Sequence, residues 1–565
     1  MLHELYTPQG ETLREIPWQV YPRPQLARES YVNLNGIWDF TVSESDALPE
    51  QYDARINVPF CPESQLSGLK MTIKPGSYLF YRRKLSLEKQ NGRLLLHMGA
   101  ADQVADIYVN QIHVCHHRGG YTAFTADITD AVSSENELVI RVWDDLRDTT
   151  LPYGKQTLCR GGMWYTPVSG IWQTVWLEWV PENYIEHLDI RTDADSVSLT
   201  LTPPLDGAVN VAGKRYLMRD GKLTIRMENP HQWCPEDPYL YHFTVETEQD
   251  RVSSYFALRS IETRTRNGIP RLCLNGKPYF FHGLLDQGYW PDGLFTPAAP
   301  ECYVQDIQQM KKLGFNTLRK HIKVEPEEFY YQCDRLGMVV FQDMVNNGDY
   351  NYLRDTVLPT LGIQRRDDRH LHPDEDTRQA FLEGMTETVR QLGNHPCILY
   401  WTIFNEGWGQ FDSEGVYEKL KALDGSRIID ATSGWFRRKK TDVDSRHIYF
   451  TPWSSLKPSD KPLVLSEFGG YACPVEGHLF NTGSAYGYKS CKRLADLQDA
   501  LDKLYREKVL PAAQRGLCAA ILTQISDVED EINGLLTYDR KVSKADPQRM
   551  QSIAVALQAA VREIP

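Results

Sequence analysis

The sequence predicts a multidomain chain: an N-terminal jelly-roll β-sandwich, an immunoglobulin-like β-sandwich, and a C-terminal (β/α)8 TIM barrel. Three observations carry this prediction. Up to about residue 263 the apolar runs are short, rich in β-branched and aromatic residues, and separated by turn residues. Near residue 265 the texture changes to strands alternating with helix-period segments, the mark of parallel βαβ units. Finally, 565 residues are enough for about three or four domains at roughly 150 residues each.

The first domain is expected over residues 1–180, with strands in YVNLNGIWDFTV (31–42), SYLFYRRKLSL (77–87), GRLLLHMGA (92–100), ADIYVNQIHV (105–114) and NELVIRVWDD (136–145). SGIWQTVWLEWV (169–180) closes it as a last long strand. The second is expected over residues 181–264, where IEHLDIRTD, SVSLTLTP, KLTIRMENP and YLYHFTVETE recur at close spacing. The third, 265–565, holds eight strand candidates: FFHGL (280–284), NTLRKH (316–321), MVVFQDM (338–344), ILYWTIFNE (398–406), RIIDATS (427–433), HIYF (447–450), PLVLSEF (462–468) and AAILTQIS (519–526). Between them, Val304, Ile307, Met310 and Leu313 recur every third residue, and Phe381, Met385, Val389 and Leu392 share one helical face. Eight βα units in about 300 residues suit a barrel whose usual size is roughly 250 residues. Residues 345–377 read as a long charged loop after the third strand, and no helix is evident after the sixth.

Composition narrows the function class. Apolar residues at 41% and charged residues at 24% exclude wholesale disorder. The 62 basic and 75 acidic residues leave a net charge of −13, which disfavours nonspecific binding to nucleic acid or to an anionic membrane. No apolar run approaches the roughly 20 residues of a membrane helix, and no secretory pattern is visible at the start. The 11 cysteines are scattered without a CxxC pair, so reduced thiols and a cytoplasmic location are expected.

Chemistry in such a barrel sits at the C-terminal ends of the strands. Two glutamates lie there: Glu406 ends ILYWTIFNE and Glu467 ends PLVLSEF. Strands four and seven can aim side chains into one cleft from opposite sides, and a pair of carboxylates is the apparatus of glycoside hydrolysis. One attacks the anomeric carbon while the other gives a proton to the leaving oxygen. A lone strand-end glutamate among 75 acidic residues would mean little. Two of them, each beside a further polar motif, reverse that.

WTIFNEG (401–407) resembles the acid/base motif of the retaining glycosidases, and LSEFG (465–469) is similar to their nucleophile motif. NLNGIWDF (33–40), GIWQTVWLE (170–178), LNGKPYFFHG (274–283), DIQQMKKLGFNTLR (306–319), FYYQCDRLGMVVFQD (329–343) and NHPCILYW (394–401) resemble glycoside hydrolase family 2 at matching places. The resemblance spans nearly the whole chain in that family's domain order. It implies Glu406 as acid/base, Glu467 as nucleophile, Asn405 as partner of the sugar 2-hydroxyl, and Arg319 as the cation beneath the nucleophile. It places His321 near a family histidine, although RKHIKVEP departs from the family's R-x-S-H-Y-P. His447 and Tyr449 are cleft candidates for which a structural role fits the sequence as well. Many relatives have tryptophan where this chain has Thr523, which leaves Trp408 and Trp435 as candidates for stacking on the sugar.

The resemblance also bears on the substrate, a carbohydrate or glycoside. Glucuronide-cleaving relatives grip the carboxylate with Asn-x-Lys, where this chain has Glu531 and Asn533. RKHIK (319–323) and WFRRKKTD (435–442) put cations into loops at the catalytic end, but exposed charge is the common case, so a solvated run is the leading reading. A retaining exo-β-glycosidase acting on a neutral hexoside, first a β-galactoside, is therefore expected. A β-hexuronidase with a non-standard basic clamp is the alternative. A carbohydrate-binding protein without turnover and a transglycosidase are the rivals. No metal or other cofactor is called for, since two carboxylates suffice. Family members often assemble through their β domains, so a homo-oligomer is expected.

Overall fold

A computed structural model describes residues 1–88, 90–360, 363, 367–372, 374–449 and 452–562. The chain begins with two antiparallel sheets. One has four strands, in the order Tyr31–Asn33, Val175–Val180, Arg93–Met98, Phe124–Asp127. The other has six, in the order Ala54–Val58, Gly36–Ser43, Ser77–Ser86, Glu135–Asp144, Val104–Val109, Ile112–Arg118. Every second residue of the inner strands is apolar and faces the partner sheet, as strand periodicity requires. Leu94, Leu96 and Met98 thus meet Leu138, Ile140 and Val142 in one core with Trp38 and Tyr81. A three-stranded and a four-stranded sheet follow between His187 and Phe256 and close over Ile190, Leu199, Val209, Ile225 and Phe243.

The barrel follows. Its strands are β1 (Phe281–Asp286), β2 (Thr317–Lys320), β3 (Val339–Asp343), β4 (Ile398–Asn405), β5 (Ile428–Ser433), β6 (Asp444–Ile448), β7 (Leu463–Gly469) and β8 (Leu517–Thr523). All pair in parallel in the order β5-β4-β3-β2-β1-β8-β7-β6. The eight predicted strands are therefore present; the sixth starts earlier than HIYF, and its Phe450 lies outside the described residues.

Four helices follow the first four strands: α1 (Glu301–Lys312), α2 (Glu327–Leu336), α3 (Glu375–Leu392) and α4 (Ser413–Leu423). The predicted stripes face inward, with Ile307 and Met310 buried on α1 and Phe381, Met385, Val389 and Leu392 on α3. The Asp374 side chain accepts from the Thr377 N–H and so caps α3, while Gly337 ends α2 in the left-handed conformation at φ 73°. Residues 345–377 are not wholly loop: a helical turn runs from Leu353 to Thr360.

Among the described residues no α-helix follows β5 or β6; the latter leads only to a 3-10 turn, Trp453–Ser455. The seam between these strands also lacks a ladder. Cross-links such as the Asp442 N–H to the Ile429 carbonyl (2.9 Å) and the Ser433–Ser445 hydroxyl contact (3.4 Å) close it instead. After β7 come α5 (Leu494–Leu504), which continues through a π turn to Gln514, and finally α6 (Pro547–Arg562).

Candidate active site

The ends of β2, β4, β6 and β7 assemble the site. At the end of β4 the chain turns sharply through two residues in the left-handed region, Glu406 at φ 53° and Gly407 at φ 80°. A β-carbon at Gly407 would lie 2.2 Å from the Phe436 ring, so glycine is required there sterically as well as conformationally. The turn is held by the Glu406 N–H, which donates to the Ser433 carbonyl at 2.9 Å. Strained backbone of this kind persists only where its surroundings over-determine it.

Glu467 is almost fully buried, and its oxygens are matched one by one. Arg319 Nη1 donates to Oε1 at 3.0 Å, and the Tyr449 hydroxyl donates to Oε2 at 2.8 Å. Burial pushes this carboxyl up. His447 and Arg319, and beyond them His321 and Lys155, outweigh that and hold it at about 2. Arg319 itself is shared: Nε donates to Asp343 Oδ1 (3.0 Å), Nη1 also to the Ser466 carbonyl (3.1 Å), and Nη2 to Asn405 Oδ1 (2.9 Å). With Oδ1 occupied, the amide NH2 of Asn405 is the group left for a ligand.

His447 lies between the two glutamates. Its Nδ1 is 2.7 Å from Glu406 Oε1 and 3.6 Å from Glu467 Oε2. On the other side Nε2 is 3.0 Å from Ser433 Oγ. Ser433 donates to Ser466 Oγ at 2.9 Å, and Arg319 Nη1, which can only donate, stands 3.4 Å from the same Nε2. One donor atom from each of Glu406, His447 and Glu467 lies within 4.8 Å of the others, and this is also where the described residues could hold a metal ion.

The structure thus brings Glu406, Glu467, Asn405, Arg319, His447 and Tyr449 together. His321 joins at one remove, through the contact of its Nδ1 with Asp343 Oδ2 at 2.8 Å. The Trp435 ring stands edge-on to His447, 5.5 Å between centroids. Trp408 is instead buried, packed edge-on against Tyr153, Trp164 and Tyr350, and does not lie open as a stacking surface. At position 523, the threonine hydroxyl lies 2.5 Å from the Tyr449 hydroxyl, and the Tyr449 ring stacks on Tyr488 at 3.8 Å.

The first cation run needs correction, the second only at one residue. Lys320 and Lys323 are not solvated: each is 1–2% exposed at the side chain and ion-paired, Lys320 with Asp286 and Glu325, Lys323 with Glu325. In the second run Arg437, Lys439 and Lys440 are exposed as expected, Lys440 beside Glu418 (2.9 Å), while the Arg438 side chain is buried against Asp368 (3.1 Å). The fold brings Lys320, Lys323 and Arg438 onto acidic partners, which sequence alone does not display. Other acids near the mouth are matched too: Asp527 by Lys544 (2.7 Å) and Asp530 by Arg160 (3.0 Å).

Sequence reasoning also missed the segment 153–166. It leaves the first sandwich and crosses the barrel mouth, where the Tyr165 hydroxyl donates to Glu531 at 2.5 Å and the Thr166 N–H donates to Glu529 at 3.0 Å. The aromatic stretch Trp164–Tyr165 was its one visible signal.

Residues 270–551 match the model described as glycosyl hydrolases family 2, TIM barrel domain, and residues 183–259 match glycosyl hydrolases family 2. The β-glucuronidase of Chlorocebus aethiops is 26% identical over 482 residues, 73% of this chain and 70% of that protein. The β-galactosidase of Thermoanaerobacter pseudethanolicus is 24% identical over 492 residues, 79% of this chain and 62% of that protein. Among solved structures, an uncultured Clostridium sp. β-glucuronidase aligns with a TM-score of 0.72 at 18% identity, covering 97% of this chain and 100% of that one. A family 2 β-galacturonidase from Eisenbergiella tayi, bound to galacturonate, aligns at 0.68 and 18% identity, covering 95% and 99%.

Proposed function

The chain belongs to glycosyl hydrolase family 2 and is a glycoside hydrolase, and on that premise we propose that it removes a terminal β-linked sugar by double displacement, with Glu467 as nucleophile and Glu406 as acid/base. The observation that carries this assignment is the spacing. Oxygens of the two carboxylates lie within 4.8 Å of each other, on the side of the about 5–5.5 Å of retaining pairs and well short of the roughly 6.5–9.5 Å of inverting ones.

In the first step Glu467 attacks the anomeric carbon. The glycosidic bond breaks, its electron pair goes to the leaving oxygen, and the proton carried by Glu406 as general acid passes to that oxygen. In the second, Glu406 takes a proton from water, which attacks the same carbon and releases Glu467. Arg319 and Tyr449 keep the nucleophile ionised and oriented, and the free NH2 of Asn405 suits the sugar 2-hydroxyl, a contact that strengthens in the transition state. The segment 153–166 walls one side of the mouth, which favours exo action on a chain end.

A neutral hexoside and a hexuronide both fit this apparatus. The relatives' names include β-galactosidase and β-glucuronidase, and the uronide reading has an observation of its own, taken up below. Initial rates on nitrophenyl β-glycosides, with proton NMR of the first-formed anomer, test the assignment. Retention of the β-configuration, and labelling of Glu467 by a 2-deoxy-2-fluoroglycoside, are expected; an inverted product or a label on another residue would overturn it.

A further inference from the structure

We propose that Lys155, contributed by the N-terminal sandwich, receives a carboxylate on the substrate sugar, so that the enzyme acts on β-glycosides of a uronic acid. This rests on the glycosidase reading above and names its substrate class.

The backbone around Lys155 is fixed to the barrel on several sides. The Tyr153 N–H donates to the Asn346 carbonyl (3.0 Å) and its hydroxyl to the Gly348 carbonyl (2.8 Å), both beyond β3. A β-carbon on Gly154, at φ 64°, would lie 3.1 Å from the Ile322 carbonyl beyond β2. The Lys155 carbonyl accepts from the Tyr165 N–H (3.1 Å), and Tyr165 in turn reaches Glu531 beyond β8. A lysine on such a segment is positioned rather than free to swing.

Its ammonium is then directed by an aromatic wall. Nζ lies 5.7 Å from the Trp164 ring, and that ring is 4.9 Å from Trp408, two residues past Glu406. Its charge lowers the carboxyls of Glu467 on β7 and Glu531 in the loop after β8, and the imidazole of His321 just past β2.

What sets Lys155 apart is that it is half-buried without an ion-pair partner. The buried and half-buried cations near it are paired, Arg319 with Asp343 and Glu467, Lys320 and Lys323 with Asp286 and Glu325, Arg160 with Asp530, while Arg437 and Lys439 are exposed to solvent. Lys155 is half-buried, yet among the described residues no carboxylate lies within ion-pair distance of it. Glu531 accepts instead from Tyr165 on one oxygen and from Asn533 (2.9 Å) on the other. A half-buried cation without a carboxylate in direct contact costs more than a paired one, and a carboxylate brought by the ligand lowers that cost. A neutral sugar would leave Lys155 unmatched.

The test compares kcat/KM for 4-nitrophenyl β-D-glucuronide and β-D-galacturonide with the matching glucoside and galactoside, in wild type, Lys155→Met and Lys155→Arg. A preference for a uronide is expected in wild type. Lys155→Met should lower its kcat/KM about 100-fold, the worth of a hydrogen bond to a charged group, while changing the neutral sugars less than about threefold. Lys155→Arg should keep part of the preference. Wild-type preference for a neutral sugar would overturn the inference and leave the glycosidase reading standing. Equal losses on all four sugars would overturn it as well, making Lys155 a charge balance for Glu467. Calorimetric titration of free glucuronate and galacturonate into Glu467→Gln, with and without Lys155→Met, reads the same contact without turnover. Binding that depends on Lys155 supports it, and binding indifferent to it refutes it, even if no glycoside is cleaved.

Discussion

Arg319 and Lys320 are neighbours on β2, both about 1% exposed at the side chain, and each is the centre of a buried ionic network. Successive strand residues point to opposite faces, so the two networks are separate. Around Lys320 the charges close: Lys320 and Lys323 face Asp286 and Glu325, and Tyr303 donates to the same Glu325 oxygen as Lys323, at 2.8 Å. Around Arg319 they do not close. One guanidinium faces Asp343 and Glu467, with Glu406 close by on His447. Buried charge alone therefore does not mark a site. The mark is an arrangement that holds one buried carboxylate ionised with a second carboxylate and a histidine beside it.

The sharpest way to break this comparison is to remove one carboxylate from each network. Glu467→Gln should cost about 10^4 to 10^6-fold in kcat, the scale of nucleophile deletions. Glu325→Gln should leave kcat of the folded enzyme within about threefold but lower the melting temperature. Steady-state rates beside thermal unfolding decide it, and comparable losses of kcat in both would erase the distinction.

Glu406→Gln comes next, with a loss of about 10^2 to 10^4-fold on a poor leaving group. The loss should shrink on a dinitrophenyl glycoside, which leaves without protonation. An equal loss on both substrates would deny Glu406 the acid role.

Removing the two cations tests both networks in stability and in pH. Arg319→Met and Lys320→Met should each destabilise by about 3–5 kcal/mol, because each leaves a buried carboxylate unpaired. Both should alter the pH dependence, because Arg319 helps to hold Glu467, and Lys320 to hold Asp286, below the ordinary carboxylate range. The native Glu467 carboxyl sits below its unfolded value, so the unfolded chain takes up protons first as pH falls. Its contribution is full above the ordinary carboxylate range and is lost as pH falls towards about 2. Urea midpoints from pH 6 to 3 should therefore flatten in both variants relative to wild type, and an unchanged acid limb in either would deny its cation that role. The smallest expected effect is Tyr449→Phe, about tenfold in kcat/KM for one lost hydrogen bond to a charged acceptor, with stability unchanged.

Much of this was legible beforehand. All eight barrel strands, the helical faces of α1 and α3, and both glutamates follow from periodicity and from where apolar runs end. His447 and Tyr449 were visible as strand-end residues, but their contacts were not, because Ser433, Ser445 and Ser466 become neighbours only when β5, β6 and β7 close the barrel. RKHIK looked like a solvated run because a string of letters does not show which face of a strand each stem takes.

The sequence by itself determined the fold class and the place of the two glutamates at strand ends, since period-two and period-3.6 patterns are local and a strand end is a local event. Only the tertiary structure decided how charge is distributed around that pair. The counter-charges of Arg319 come from β3 and β7, and Lys155 comes from another domain altogether. An ionic interaction depends on distance through space, and that distance bears no relation to separation along the chain.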